Sequence, residues 1–118
     1  MNADLPPNTA HVDEETLNML KEVMEDGFAT LLETFIDDSK IRIVALRQAF
    51  GAGDAEEVRR AAHSLKGSSS NLGANQLVAL CLHVENSGRD GNLDGLEEEI
   101  IKIEQEYQTV ADIMKKMV

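Results

Sequence analysis

The sequence is poor in the residues and patterns that mark several protein classes. Its single cysteine among 118 residues excludes an intramolecular disulfide and a cysteine-based structural zinc site. Both prolines precede Val12, and none follows it. No apolar run approaches the roughly 20 residues that span a bilayer, and the N-terminus lacks the basic and apolar regions of an export signal. We therefore expect a cytoplasmic protein.

Positive charge is also scarce. The chain has 11 Lys and Arg against 22 Asp and Glu, a formal net charge of -11. Such a surface repels phosphate backbones and anionic lipid, so we expect neither a nucleic-acid nor a membrane partner. Apolar residues make up 42%, which is enough for a core, and the length suits one domain.

Helical spacing of apolar residues dominates after a polar, proline-containing lead-in at residues 1–11, so the domain at residues 12–118 is predicted to be all-α. At the first helix, Asp13 is a good N-cap, with Val12 and Leu17 at the positions of a hydrophobic staple. The predicted helices run from Asp13 to a stop at Gly27, over 28–50, from Asp54 to a break at Gly73, over 75–87 with Gly88 just past the end, and over 93–117.

The last predicted helix has the strongest pattern. Its apolar residues follow a 3-4-3-4 spacing from Leu93 to Met117, which is the seam of a packed helix. A dimeric coiled coil is one interpretation. The other amphipathic helices need a partner within the chain, which favours an antiparallel four-helix bundle with a short additional N-terminal helix.

Function is predicted to concentrate between Arg59 and Gly73. On a helical wheel, His63 lies about 140° and Gly67 about 180° from the buried Val58, so the histidine faces solvent with a glycine one turn beyond it. Lys66 is close enough to neutralise an anion on the imidazole. A lone surface histidine usually does nothing, and an internal glycine often marks a tight helix contact.

Basic residues around His63 make the functional interpretation stronger. Arg59, Arg60 and Lys66 form a basic island on an otherwise acidic chain, which suggests that an anionic group is handled there. His11, in the lead-in, and His83, on an outer helix face, do not predict a metal site. Cys81 lies on an apolar face and is predicted to be a small core residue.

At residues 63–73, the stretch HSLKGSSSNLG resembles the histidine-phosphotransfer (HPt) domain pattern His-x-x-Lys-Gly, followed by small residues and a second glycine. The resemblance covers about residues 13 to 117 and indicates the bacterial stand-alone type. It implies that His63 accepts a phosphoryl group through Nε2 and that Lys66 stabilises this group. It also implies that Gly67 clears a docking surface and that Glu85 holds the imidazole Nδ1.

Further site residues follow from the same resemblance. Small residues at Ser70 and Gly73, with the basic Arg59 and Arg89, would complete the docking surface. Glu85 could instead be a solvated surface glutamate.

The implied reaction relays a phosphoryl group between receiver-domain aspartates of a hybrid sensor kinase and a response regulator. The sequence has no P-loop or other nucleotide-binding loop, so no cofactor is expected in this chain. Magnesium would come with the receiver domain, and the protein would act as a monomer without kinase activity of its own. A non-catalytic helical adaptor, in which His63 is incidental, is the competing interpretation.

Overall fold

The structure is a computed structural model that describes residues 11–118, and its regular secondary structure is entirely helical in that range. The helices are α1 (Glu14–Met24), α2 (Gly27–Gly51), α3 (Ala55–Asn71), α4 (Asn75–Arg89) and α5 (Leu96–Lys115). The all-α prediction is therefore confirmed. Residues 1–10 of the predicted lead-in lie outside the described residues.

Helices α2 to α5 form a ring in which each helix packs against its two neighbours. Helices α2 and α5, which close the ring, run antiparallel. Arg47 near the end of α2 binds Glu97 at the start of α5, whereas Ile36 earlier in α2 accepts a hydrogen bond from Tyr107 later in α5. The seam of α5 is buried inside this ring, at Leu96, Ile100, Ile103, Val110 and Met114. The antiparallel four-helix bundle is thus confirmed, and the seam needs no second chain to cover it.

Helix α1 is fixed to the bundle at its first residues. The Asp13 side chain caps the helix by accepting from the Glu15 N–H at 3.1 Å, and Val12 and Leu17 are both buried. The Asp13 N–H donates to the carbonyl of Gly73 at 2.8 Å, which ties α1 to the end of α3. Gly73 has a φ of +73°, and a Cβ there would stand 2.9 Å from the Asp13 Cβ. Both the backbone conformation and the close contact therefore favour glycine.

The predicted starts of α1 and α3 agree with the structure, although some details differ. Helix α1 ends at Met24 rather than at Gly27, because Glu25 adopts a positive φ of 48° and caps it. At α3, Asp54 accepts from the Glu57 N–H at 3.1 Å, as a capping box predicts. In a full capping box, the Glu57 carboxylate would in turn accept from the backbone N–H of Asp54. Here it accepts from Arg60 instead.

The predicted end of α4 is wrong. We expected Gly88 to lie just past a helix ending at residue 87, but α4 continues through Gly88 to Arg89. Gly88 is buried against α3, where a Cβ would meet the Arg59 nitrogen at 2.8 Å. This glycine therefore permits a close helix contact and does not terminate the helix.

His11 also differs from its predicted place in the lead-in. Its Nδ1 lies 2.8 Å from Oε2 of Glu106, a residue buried on α5, so this last lead-in position packs against the bundle.

Helix α5 begins at Leu96, three residues later than predicted, after Gly95 at a φ of +76°. No helix in residues 11–118 is long and apolar enough to cross a membrane.

Candidate functional site

The candidate site lies on the antiparallel pair formed by α3 and α4. Two contacts one turn apart define their register: Arg59 of α3 faces Gly88 of α4, and His63 faces Glu85. Because side chains four residues apart share a face of a helix, these contacts lie next to each other along the groove between the helices.

His63 is exposed over 62% of its side chain, as the helical wheel predicted. Its Nδ1 lies 2.8 Å from Oε2 of Glu85. An ionised carboxylate can only accept, so Nδ1 carries the hydrogen and donates it. In the neutral imidazole, Nε2 is then the unprotonated nitrogen with a free lone pair. Any nucleophilic reaction of this ring would therefore occur at Nε2.

Glu85 is almost fully buried, with 2% of its side chain exposed. Burial by itself would raise the pKa of this carboxyl, but hydrogen bonds from Lys66 and His63 lower the pKa below its ordinary value. Lys66 Nζ stands 2.7 Å from Oε1, and Arg89 Nη2 stands 3.2 Å from Oε2. The carboxylate thus keeps its charge because donors surround it. Glu85 is not a solvated surface residue.

Lys66 has a partner within the chain that the sequence analysis did not predict. The resemblance assigns it to a phosphoryl group on His63, whereas in this structure its ammonium binds Glu85 and is only about a quarter exposed. Arg89 reaches the same carboxylate because α4 continues past Gly88, which places Arg89 one turn after Glu85. His63, Lys66 and Arg89 therefore converge on one buried carboxylate.

The predicted basic island is largely neutralised. Arg59 binds Glu56 at 2.7 Å, and Arg60 binds Glu56 and Glu57, each at 3.2 Å. The hydrogen bond from Arg59 lowers the pKa of Glu56 to about 2. Net positive charge is consequently small around the histidine, because Glu56 and Glu57 lie one turn before the two arginines on the same helix.

The remaining predicted residues fall into two groups. Gly67 and Ser70 are exposed on α3 beyond His63, and a Cβ on Gly67 would meet no atom within 4 Å. Gly73, in contrast, is buried beneath Asp13 and Thr16 of α1. We therefore correct the prediction for Gly73: it connects α1 to α3 and is not open to a partner.

Two other residues behave as predicted. Cys81 is fully buried, and burial raises the pKa of its thiol to about 12, so it is a core residue and not a reactive thiolate. His83 is exposed on the outer face of α4. Neither contributes to the group of side chains around Glu85 that the structure describes.

Comparison with known proteins places these features in a family. The family described as Hpt domain matches residues 30–113 of the chain. The solved structure of histidine-containing phosphotransfer protein B (HptB) from Pseudomonas aeruginosa PAO1 is 42% identical and has a TM-score of 0.88, with 91% of this chain and 93% of that chain covered.

A second solved structure, the HPT domain from the Hpt sensor hybrid histidine kinase from Shewanella, is 19% identical. It has a TM-score of 0.76 and covers 92% of this chain and 93% of that chain. At that identity, the likeness shows the shared fold alone. Among the curated proteins, none matches the chain.

Proposed function

The chain belongs to the Hpt domain family and is a histidine phosphotransfer protein of a phosphorelay; we propose that His63 is its phosphoacceptor. The observation that carries this proposal is the 2.8 Å contact between His63 Nδ1 and Glu85 Oε2. It directs the free lone pair of the imidazole to the exposed Nε2. His83, the histidine on α4, is exposed and makes no such contact with a buried carboxylate among the described residues.

In the proposed reaction, Nε2 of His63 attacks the phosphorus of an aspartyl phosphate on a receiver domain. The bond between Nε2 and phosphorus forms as the bond between phosphorus and the aspartate oxygen breaks, and the aspartate leaves as a carboxylate. The proton on Nδ1 stays in place, so the phosphorylated ring becomes cationic. The Glu85 carboxylate, 2.8 Å away, stabilises that charge. The reverse reaction passes the group to the next receiver.

We propose that Lys66, which lies beside Glu85, stabilises the phosphoryl group on His63. Its ammonium lies one turn from His63 on the same helix, and its four-carbon side chain is flexible enough to turn from Oε1 towards phosphoryl oxygens. Arg89 would remain on Glu85 when Lys66 moves, because it binds the other oxygen. The buried carboxylate would then keep a cationic partner throughout.

The docking surface is proposed to include Gly67 and Ser70 on α3 and Arg89 on α4. All three are exposed around His63, and Gly67 presents no side chain that would hold a partner away from the imidazole. Arg59 is assigned to the edge of this surface, where Glu56 already binds it. The receiver domain would bring magnesium, whose charge assists phosphoryl transfer.

We place the reaction in the cytoplasm, between receiver domains of a hybrid sensor kinase and of a response regulator. A monomer suffices, since the core closes within one chain.

Incubation with a phosphorylated receiver domain and magnesium tests the assignment of His63. The wild type should acquire phosphate that is labile in acid and stable in alkali, and His63→Gln should acquire none. His83→Gln, which changes an exposed histidine on α4, should be labelled like the wild type. Equal labelling of His63→Gln would contradict the assignment.

A further inference from the structure

Gly88 has no role in the chemistry described above, yet it lies directly against the backbone of α3 next to the site. A Cβ at this position would lie 2.8 Å from the nitrogen of Arg59, 2.9 Å from the carbonyl oxygen of Ala55 and 3.1 Å from the Arg59 Cα. All three are backbone atoms of α3. They cannot turn aside as a flexible side chain could, so any larger residue would move one helix relative to the other.

The backbone conformation does not explain this glycine. Gly88 is the penultimate residue of α4 and is not among the glycines with a positive φ. Alanine favours a helix interior more than glycine does. Glycine is therefore needed here for the short distance between the helices and not for local conformation.

This short distance bears directly on the histidine. Gly88 lies three residues after Glu85 on α4, and Arg59 lies four residues before His63 on α3, so the two contacts are adjacent along the same groove. The groove fixes how far the Glu85 carboxylate must reach to contact Nδ1. A helix displaced at Gly88 would lengthen the neighbouring contact, because α4 moves as a rigid element over one turn.

We propose that Gly88 is a positioning residue that holds α4 close enough to α3 for Glu85 to fix the tautomer of His63. Its effect on phosphotransfer rests on the proposed role of His63. Its effect on the imidazole does not, because the tautomer can be observed in the unphosphorylated protein.

The test replaces Gly88 by alanine and by valine, which push progressively harder against the α3 backbone. Gly51→Ala is the matched control, because Gly51 ends helix α2 and a Cβ there meets nothing within 4 Å. Nitrogen-15 NMR of the imidazole rings should show His63 with Nδ1 protonated in the wild type and in Gly51→Ala. Gly88→Ala should shift the resonances towards a mixture of tautomers, and Gly88→Val should shift them further.

The kinetic arm asks whether Gly88 acts through Glu85. Gly88→Ala should slow transfer from a phosphorylated receiver by about tenfold, the order expected when a reacting group is misplaced by a fraction of an ångström. In a Glu85→Leu background, which has no carboxylate to position, the same change should slow transfer by less than about twofold, since the effects of coupled residues are not additive.

Several outcomes would overturn the proposal. One is an unchanged imidazole spectrum in both Gly88 variants, and another is a full additional loss of rate in the Glu85→Leu background. Spectra are recorded with sucrose, which favours the folded state. A Gly88→Ala chain that still has no folded population would assign the glycine to the fold as a whole and would also overturn the positioning role. Failure of the proposed function looks different: the tautomer shifts as expected, but phosphate does not appear on His63.

Discussion

Nδ1 of His63 and Oε2 of Glu85 lie 2.8 Å apart, although one residue is mostly exposed and the other is almost fully buried. The exposed ring needs a fixed orientation, which an isolated surface histidine does not have. The buried carboxylate supplies it, and it can do so because Lys66 and Arg89 offset the cost of burying its charge. Two helices are therefore required to fix the orientation and the tautomer of one imidazole.

Substitutions of Glu85 separate its hydrogen bond from its charge. Glu85→Gln retains an oxygen that can accept from Nδ1, whereas Glu85→Leu retains none. We expect Glu85→Leu to slow transfer from a phosphorylated receiver by about 10- to 100-fold, because loss of orientation costs rate. Glu85→Gln should slow transfer by a smaller factor than Glu85→Leu does. Stopped-flow or quenched-flow transfer assays measure both. Equal rates for Glu85→Leu and the wild type would remove Glu85 from the mechanism.

Stability should depend on pH through Glu85. The pKa of this carboxyl is lower in the folded chain than its ordinary value of 4.5, because Lys66 and His63 donate hydrogen bonds to the ionised form. The unfolded chain therefore binds the proton more readily, and the contribution of Glu85 to stability is present above pH 4.5 and is lost as the pH falls through the folded pKa. Urea unfolding measures this effect. Between pH 6 and about pH 3, the free energy of unfolding should fall by less for Glu85→Gln than for the wild type.

The control for this pH experiment is Glu33→Gln, which removes a carboxylate from an exposed position on α2. Its unfolding free energy should fall with pH in parallel with that of the wild type. Parallel curves for Glu85→Gln and the wild type would argue against a pKa lowered by Lys66 and His63.

Gly67→Gln should separate stability from function. The site is open, since a Cβ meets nothing within 4 Å, and glutamine favours a helix more than glycine does by up to about 1 kcal/mol. We therefore expect unchanged helix content by circular dichroism and equal or higher stability, together with slower phosphotransfer because the new side chain holds the receiver away. Gly51→Gln, another open helical glycine, should transfer at the wild-type rate. Wild-type transfer by Gly67→Gln would refute the steric role.

Lys66→Ala should affect both stability and transfer. It leaves Oε1 of a buried carboxylate without its cation, which costs about 1–3 kcal/mol for an unsatisfied buried acceptor. Transfer should also slow, because the phosphoryl group loses the ammonium. Lys102→Ala breaks an exposed pair with Glu99 at 3.4 Å and should cost less than about 1 kcal/mol, with no change in transfer. Thermal unfolding and transfer assays on both variants decide whether Lys66 differs from an ordinary surface lysine.

Sequence periodicity predicts the parts of this structure that depend on neighbours along the chain. The exposure of His63 and the openness of Gly67 follow from a helical wheel, and the Asp13 and Asp54 caps follow from short-range backbone chemistry. These features need no knowledge of the other helices.

Features that depend on two helices could not be read in the same way. The partner of Lys66 is set by the position of α4, and the sequence around Lys66 contains no information on that distance. Gly88 followed by polar residues has the same local pattern whether the glycine ends a helix or admits a neighbour. Only the contact with Arg59 distinguishes them. The pairing of Arg59 with Glu56 and of Arg60 with Glu57, by contrast, lies within one helix, and the i, i+3 spacing in the sequence was sufficient to predict it.

The measurement that tests the central claim most directly is the location of phosphorus on the imidazole. A nitrogen-15-labelled chain is phosphorylated by a receiver domain, and the coupling between phosphorus and nitrogen is observed by NMR. We predict that the coupling appears at Nε2 of His63, with Nδ1 still protonated and bonded to Glu85. Coupling at Nδ1 of His63, or at a nitrogen of His83, would contradict the account.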